Sequence, residues 1–289
     1  MSKKLVKIYS IITTKTITQF IMLKPLFIIT FNLFLSFSCI SQNQETISKK
    51  ESQEQIIEKY FKNIALKHSL YSREREEAID KGLAEDSTIA YLWQQKAMPL
   101  FKQGKYELGM EYIDKAVKYN RARYQSYRAF IKCIFAKTYK EAIIDFKECK
   151  LSEGNNYEMD HSYNFYIALS YLQLNEFEMA ENIFKEDIES LQEKKGLDWV
   201  HHLDLFYYGV SKYEQKKYHE AIDIFEMALK KYPEFSDVQY YYAICLARTN
   251  EPDKAADLFD QAKLNAENGY TINEDNVIYE RYPYQVRWH

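Results

Sequence analysis

Small and aromatic residues recur at intervals of 33 to 41 positions through most of this chain of 289 residues. Ala255 and Phe259, for example, stand 34 residues after Ala221 and Phe225. A repeat of this length predicts an array of similar structural units, each packed mainly against its neighbours. The positions on which this prediction depends are Ala142, Ala180, Gly209, Ala221, Phe225, Ala228, Pro233, Ala255 and Phe259.

Within one unit, the apolar residues have the spacing of an amphipathic helix. Residues 218–231 place Tyr218, Ala221, Phe225 and Ala228 on one stripe. Alanine on such a stripe lets two antiparallel helices pack at ~8–10 Å. The whole chain has only 7 glycines and 5 prolines, which disfavours folds with many tight β-turns. The pattern therefore predicts an all-α body.

The repeated unit resembles the tetratricopeptide repeat, a 34-residue helix–turn–helix with the signature W-L-G-Y-A-F-A-P. The match is strongest from Leu205 and Gly209 through Tyr218 to Pro233. The resemblance implies a right-handed α-solenoid of antiparallel helix pairs, of an exported bacterial type, that acts in protein interaction. The repeats that it implies within residues 90–269 are 90–122, 123–156, 161–194, 202–235 and 236–269.

The regions that flank the repeats have other patterns. Residues 42–52 are interpreted as a linker and residues 53–89 as a degenerate helix pair that caps the stack. Residues 270–289 lack helical periodicity but carry several aromatic side chains. Two interpretations of this last stretch are open: it packs against the last repeat, or it is an arm that binds a partner.

The first 41 residues have the composition of an export signal. They contain five lysines and no acidic residue, and residues 26–40 are almost continuously apolar. Three interpretations are open: a signal peptide cleaved after Ser41, a lipoprotein signal with Cys39 as the lipidated residue, or an uncut membrane anchor. Translation could also start at Met22. Each interpretation predicts export to the periplasm or envelope, with membrane contact only through this segment.

The net charge argues against a nucleic-acid partner. The chain has a formal charge of −3, and removing the five lysines of residues 1–41 leaves −8. A mature protein with that charge repels phosphate backbones unless it has a local basic patch. The sequence has no such patch, because its lysine pairs are diluted by neighbouring acidic residues.

The sequence has no pattern typical of an enzyme. The six histidines lie outside any H-E-x-x-H motif, and the nucleophile motif G-x-S-x-G is absent. The histidines are expected at surface or capping positions, with His201 and His202 on different faces of a helix. Cys133 and Cys149 are expected to be buried and unpaired. We therefore predict no catalytic residue, no metal site and no cofactor.

The first helix of each predicted repeat offers a candidate binding surface. In proteins with such repeats, exposed residues of the first helices line a concave groove, which implies that this groove binds a peptide or helix of a protein partner. Large aromatic residues suit this role because they dominate binding energy at interfaces. The candidate groove residues are Tyr91, Met98, Tyr124, Tyr127, Ile131, Phe165, Leu169, Phe206, Val210, Tyr213, Tyr240 and Ile244.

Other interpretations of the groove are open. The same side chains could pack only between neighbouring first helices, or lie beneath residues 270–289. The favoured function is a non-catalytic scaffold in the cell envelope. An envelope-assembly lipoprotein anchored through Cys39 is a narrower alternative, and a binder of glycans or small ligands is a third.

Overall fold

The computed structural model describes residues 47–288. The signal or anchor predicted for residues 1–41, with Cys39, lies outside the described residues. Helix α1 covers residues 47–56 and continues as a π-helix, Ile57–Lys62. The other α-helices are α2 Arg73–Glu85, α3 Ala90–Lys102, α4 Tyr106–Tyr119, α5 Arg121–Ile134, α6 Tyr139–Glu153, α7 Tyr163–Gln173, α8 Phe177–Lys195, α9 His202–Glu214, α10 Tyr218–Lys231, α11 Ser236–Arg248 and α12 Pro252–Glu267, and short 3-10 helices cover Ala65–Lys67 and Leu197–Trp199.

From α3 onward the helices form five consecutive pairs, and each helix packs against the next one along the chain. The first helices α5, α7, α9 and α11 also contact one another in that order. They therefore form one continuous wall of the stack. Since a single pair cannot bury its apolar faces alone, stability comes from stacking neighbours. The predicted all-α solenoid is confirmed.

A short β-hairpin lies between α6 and α7. Strand β1, Tyr157–Glu158, pairs antiparallel with strand β2, His161–Ser162. It occupies extra residues between two helix pairs, a place where solenoids tolerate insertions. Within residues 47–288, no helix combines the length and the apolar character that crossing a membrane requires.

The repeated alanines lie where helices meet. Ala142, Ala180, Ala221 and Ala228 have no exposed surface, and Ala255 is 7% exposed. A longer side chain at these positions would push the paired helices apart. All five alanines are therefore on the buried sides of their helices.

Gly209 allows α9 and α10 to approach closely. A Cβ atom added at this position would lie 2.4 Å from Phe225 Cε1, too close for two carbon atoms. The first helix pair has the reverse arrangement, with Gly109 of α4 beneath the ring of Phe101 of α3. An aromatic ring seated on a glycine thus locks the two helices of a pair together.

Two predicted anchor positions are at the surface. Phe259 is 41% exposed, because no further pair follows α12 within the described residues. The rings of Tyr240 and Trp288 cover part of the Phe259 ring, with centroids 5.9 and 6.0 Å from its centroid. Pro233 is exposed two residues after the end of α10, where a proline cannot continue the helix.

The N-terminal cap has its own buried cluster. The π-helical end of α1, α2 and the start of α3 contribute Phe61, Ile79, Leu83 and Leu92 to it. Residues 47–52, predicted as part of a linker, are already helical. Half of this stretch is lysine and glutamate, which are good helix formers and extend α1 in the N-terminal direction.

A cluster of charged side chains joins α8 to the next helix pair. Glu181 accepts hydrogen bonds from Lys212 Nζ and Lys217 Nζ, both at 2.7 Å, and from Gln215 Nε2 at 2.6 Å. Its side chain is largely buried. Although burial opposes ionisation, these three donors lower the pKa of Glu181 to about 2. The stabilisation therefore depends on the ionised carboxylate.

We expect the contribution of Glu181 to folding to be lost as the pH falls from 4.5 toward about 2. The pKa is lower in the folded state, so the contribution is complete above the unfolded value and disappears as the carboxylate is protonated. At neutral pH, Glu181→Gln should lower the free energy of unfolding by about 2 kcal/mol. Urea unfolding at a series of pH values measures this difference, with Glu178→Gln on the exposed face of α8 as the control. A difference that does not shrink in acid would contradict the assignment.

Candidate partner-binding groove

The wall of first helices is covered by the C-terminal segment, which we define as residues 270–288. Tyr207 Oη of α9 donates a hydrogen bond to Pro283 O at 2.9 Å. Tyr241 Oη of α11 donates to Tyr284 O at 3.1 Å. Two helices of the wall thus bind the main chain of the segment through tyrosine hydroxyl groups.

The C-terminal segment also reaches the first helix pair. Glu280 accepts a hydrogen bond from the Tyr106 hydroxyl at the start of α4, and its carboxylate lies 3.0 Å from Lys137 Nζ. Lys102 Nζ of α3 lies 4.3 Å from the centre of the Tyr279 ring, a cation–π contact. The segment therefore packs against several helix pairs, from the first to the last, and not against the last repeat alone.

Asp237, in the first turn of α11, holds the C-terminal segment at two points. Its carboxylate accepts hydrogen bonds from Ile272 N at 3.0 Å and from Val286 N at 2.7 Å. Asp237 has no exposed surface. Burial raises the pKa of Asp237 to about 6, although both N–H donors favour the ionised form. One side chain thus closes the residues between Ile272 and Val286 into a loop.

Half of the predicted groove residues are buried. They pack between neighbouring first helices, in one core with Ile272 and Tyr282 of the C-terminal segment. The prediction that these six side chains are exposed on the wall is therefore wrong. They are buried because the first helices pack against one another and the C-terminal segment joins the same core. The buried members are Tyr124, Ile131, Phe165, Leu169, Phe206 and Val210.

The other predicted groove residues keep part of their surface exposed. Tyr213 and Tyr240 both pack against Tyr241, and their ring centroids lie 5.3 and 5.2 Å from the centroid of the Tyr241 ring. Tyr91 meets Phe61 of the N-terminal cap edge-on at 5.2 Å. Aromatic contacts within the chain thus occupy much of this wall. The partly exposed members are Tyr91, Met98, Tyr127, Tyr213, Tyr240 and Ile244.

A buried histidine joins the wall to the C-terminal segment. His161 Nδ1 lies 3.2 Å from Asp204 Oδ1 of α9, and its Nε2 lies 3.3 Å from Glu274 Oε1 of the segment. Although burial opposes the charged form, the two carboxylates raise the pKa of His161 to about 9. The prediction of a surface or capping role is therefore wrong for His161, because it lies 2% exposed between two acidic partners.

Two further histidines lie beside this group. His201 caps the start of α9, where its Nδ1 accepts a hydrogen bond from Leu203 N at 3.3 Å, as a capping role predicts. The rings of His201 and His202 are only 4.0 Å apart. The prediction that they point to different faces is wrong, because His201 precedes the helix and does not follow its spacing. Burial, with the neighbouring His201, lowers the pKa of His202 to about 4.

The cysteines of the described region are buried and unpaired. Cys133, Cys149 and Cys245 all carry free thiols. Cys133 lies against α7, where its thiol approaches Ser170 Oγ and Tyr166 O. The prediction that Cys133 and Cys149 fill space as small apolar residues is confirmed.

Comparison with known proteins agrees with this architecture. Residues 212–269 match the family model for the tetratricopeptide repeat. The structure of PilW, a widely conserved type IV pilus biogenesis factor, is 14% identical with a TM-score of 0.55, over 68% of this chain and 86% of PilW. A MamA structure (41-end) from Desulfovibrio magneticus RS-1 is 11% identical with a TM-score of 0.52, over 62% of this chain and 96% of MamA. No curated protein matches the sequence. At these identities the likeness to the solved structures is one of fold.

Proposed function

This chain is a tetratricopeptide repeat protein, and from that premise we propose that it is a non-catalytic scaffold that binds an extended segment of a protein partner. The fold supports an interaction scaffold, because stacked first helices offer a continuous wall to another chain. The observation that carries the proposal is the C-terminal segment, a non-helical stretch of chain seated on that wall. The partner segment takes the place of the C-terminal segment.

The contacts to the main chain support the proposal that a partner segment can replace the C-terminal segment on the wall. Tyr207 and Tyr241 donate to carbonyl groups of the C-terminal segment, not to its side chains. Every residue of a partner offers the same carbonyl acceptor. A different sequence with an extended backbone can therefore satisfy these donors.

The contacts to side chains indicate the chemistry of the partner. Lys137 and Tyr106 bind the carboxylate of Glu280, and Lys102 lies over the ring of the preceding Tyr279. These groups favour an aromatic residue followed by an acidic one. We therefore propose an extended partner segment that contains this pair.

The proposed location is the cell envelope, and the support for it is the composition of residues 1–41. Lipidation of Cys39 would anchor the scaffold to a membrane. We expect cells grown with labelled palmitate to incorporate the label into this protein and to lose it in Cys39→Ala. An unlabelled mature protein that begins at Gln42 would contradict lipidation and support simple cleavage.

A peptide with the sequence of residues 270–288 tests binding along the wall. The attached C-terminal segment competes with the free peptide, so loosening it should increase the apparent affinity. Tyr282 is 3% exposed and packs in the shared core. We expect the full chain with Tyr282→Ala to bind the fluorescent peptide about tenfold more tightly than the wild type.

Ile278 provides the matched control, because it belongs to the same segment but is 77% exposed. Ile278→Ala should bind the peptide as the wild type does. If Tyr282→Ala and Ile278→Ala bound the peptide with equal affinity, and both kept their helical circular dichroism, the proposal that the peptide replaces the attached segment on the wall would be refuted. A second peptide with Glu280→Gln should bind more weakly, since Lys137 loses its carboxylate partner.

A further inference from the structure

Two imidazoles and a carboxylate come together where the C-terminal segment packs against the rest of the chain. His161 belongs to β2, His201 caps α9 and Glu274 lies in the segment. One ring nitrogen of each histidine and one carboxylate oxygen lie within 4.8 Å of one another. We propose that His161, His201 and Glu274 bind a divalent transition-metal ion of the zinc class.

The distances suit a tetrahedral ion. Zinc binds imidazole nitrogen and carboxylate oxygen at about 2.0–2.2 Å, which places neighbouring ligand atoms about 3.3 Å apart. His161 Nε2 and Glu274 Oε1 are already 3.3 Å apart. His201 is the ligand that must move, and its ring centroid lies 5.2 Å from that of His161. Two histidines and one glutamate give three protein ligands, and a water molecule completes the tetrahedron.

Asp204 supplies the support that a metal-binding histidine usually has. Its Oδ1 lies 3.2 Å from His161 Nδ1. A proton on Nδ1 donates to this carboxylate and leaves the lone pair of Nε2 toward Glu274. Such a carboxylate partner fixes the tautomer and the ring orientation of a metal ligand.

The charges of the cluster also fit a divalent cation. Asp204 and Glu274 bring two negative charges close to a ring that is almost completely buried. Buried charges require compensation, and one divalent ion balances both carboxylates. Without an ion, a protonated His161 balances them in part, and its Nε2 proton passes to solvent when a metal binds.

His201 has to give up its capping bond. Its Nδ1 accepts from Leu203 N at 3.3 Å, which is long for such a bond. If Nδ1 binds the metal, its lone pair is no longer available to Leu203. If Nε2 binds, Nδ1 carries the proton and cannot accept. The Asp204 carboxylate remains a second cap at this helix start, because it accepts from His201 N at 3.3 Å.

Cobalt and zinc titrations test the site on the full chain, after treatment with a chelator and removal of any purification tag. We expect one Co²⁺ per chain, with the intense visible absorption of a tetrahedral site, and its displacement by Zn²⁺. Asp204→Asn should weaken binding about 10- to 100-fold, and the ligand variants His161→Gln and Glu274→Gln should weaken it further. His219→Gln, an exposed histidine on α10, should leave it unchanged.

Circular dichroism of each variant separates loss of the site from loss of the fold. Glu274 lies outside the helices, so Glu274→Gln should keep the helical signal while it loses Co²⁺ absorption. A wild-type chain that shows no tetrahedral Co²⁺ spectrum overturns the proposal. Binding that is equally strong in Glu274→Gln and in wild type overturns it as well.

Discussion

Replacing Phe225 by alanine is expected to lower the free energy of unfolding by about 4 kcal/mol. Phe225 has no exposed surface, and its ring lies directly over Gly209 of the paired helix. The glycine cannot fill the space that the ring leaves, so the variant keeps a cavity between α9 and α10. Urea unfolding followed by circular dichroism measures the loss.

Phe259 is the matched control, because it occupies the same repeat position 34 residues later. It is 41% exposed at the end of the stack, so Phe259→Ala should cost about 1 kcal/mol or less. The difference between the two variants isolates the effect of the neighbouring helices. Similar losses for both would show that the ring on Gly209 is not what locks this helix pair.

The helix pairs could be predicted because their signals are local. Ala221, Phe225 and Ala228 follow helical spacing within a single helix, and counterparts of these residues return one repeat later. Burial of the alanines follows from this pattern alone, since a stripe of small residues on a helix needs a close neighbour. Phe259 shows the limit, because its burial depends on a next pair that the pattern does not guarantee.

The cover over the first helices could not be predicted from periodicity, because its contacts are distant in sequence and use the main chain. Tyr207 and Pro283 are 76 residues apart, and the acceptor is a carbonyl group that every residue has. The aromatic content of residues 270–289 did indicate packing. It does not indicate which surface is covered, so burial of Phe165 and Phe206 in one core with the segment is one of several open interpretations of the sequence.

His161 illustrates a different limit. Its partners Asp204 and Glu274 are 43 and 113 residues away, and neither belongs to a recognisable motif with it. Histidine has no strong preference for the interior or the surface, so the sequence does not show that His161 is buried. Only the folded chain, which brings β2, α9 and the C-terminal segment together, reveals the cluster.

Replacing Asp237 by alanine is expected to raise the population of chains with an open C-terminal segment about 30-fold. This corresponds to a decrease of about 2 kcal/mol in the free energy of opening. The carboxylate accepts from the main chain at both Ile272 and Val286. Without it, Ile272 N loses its acceptor inside the core, and the loop between the two residues is no longer held. Opening is local, since the helices of the stack do not depend on this loop for their own hydrogen bonds.

Limited proteolysis measures this opening as the rate of cleavage within residues 270–288. The protease concentration must be low enough that an open segment closes again faster than it is cut, because the cleavage rate is then proportional to the population of the open form. Asp275 of the same segment is exposed, so Asp275→Ala should be cleaved at the wild-type rate. Helical circular dichroism should be the same for both variants. If Asp237→Ala were cleaved no faster than Asp275→Ala, the segment would be held by its aromatic contacts instead. If it is cleaved faster and also binds the peptide of residues 270–288 more tightly, then the segment that opens is the one that competes for the wall.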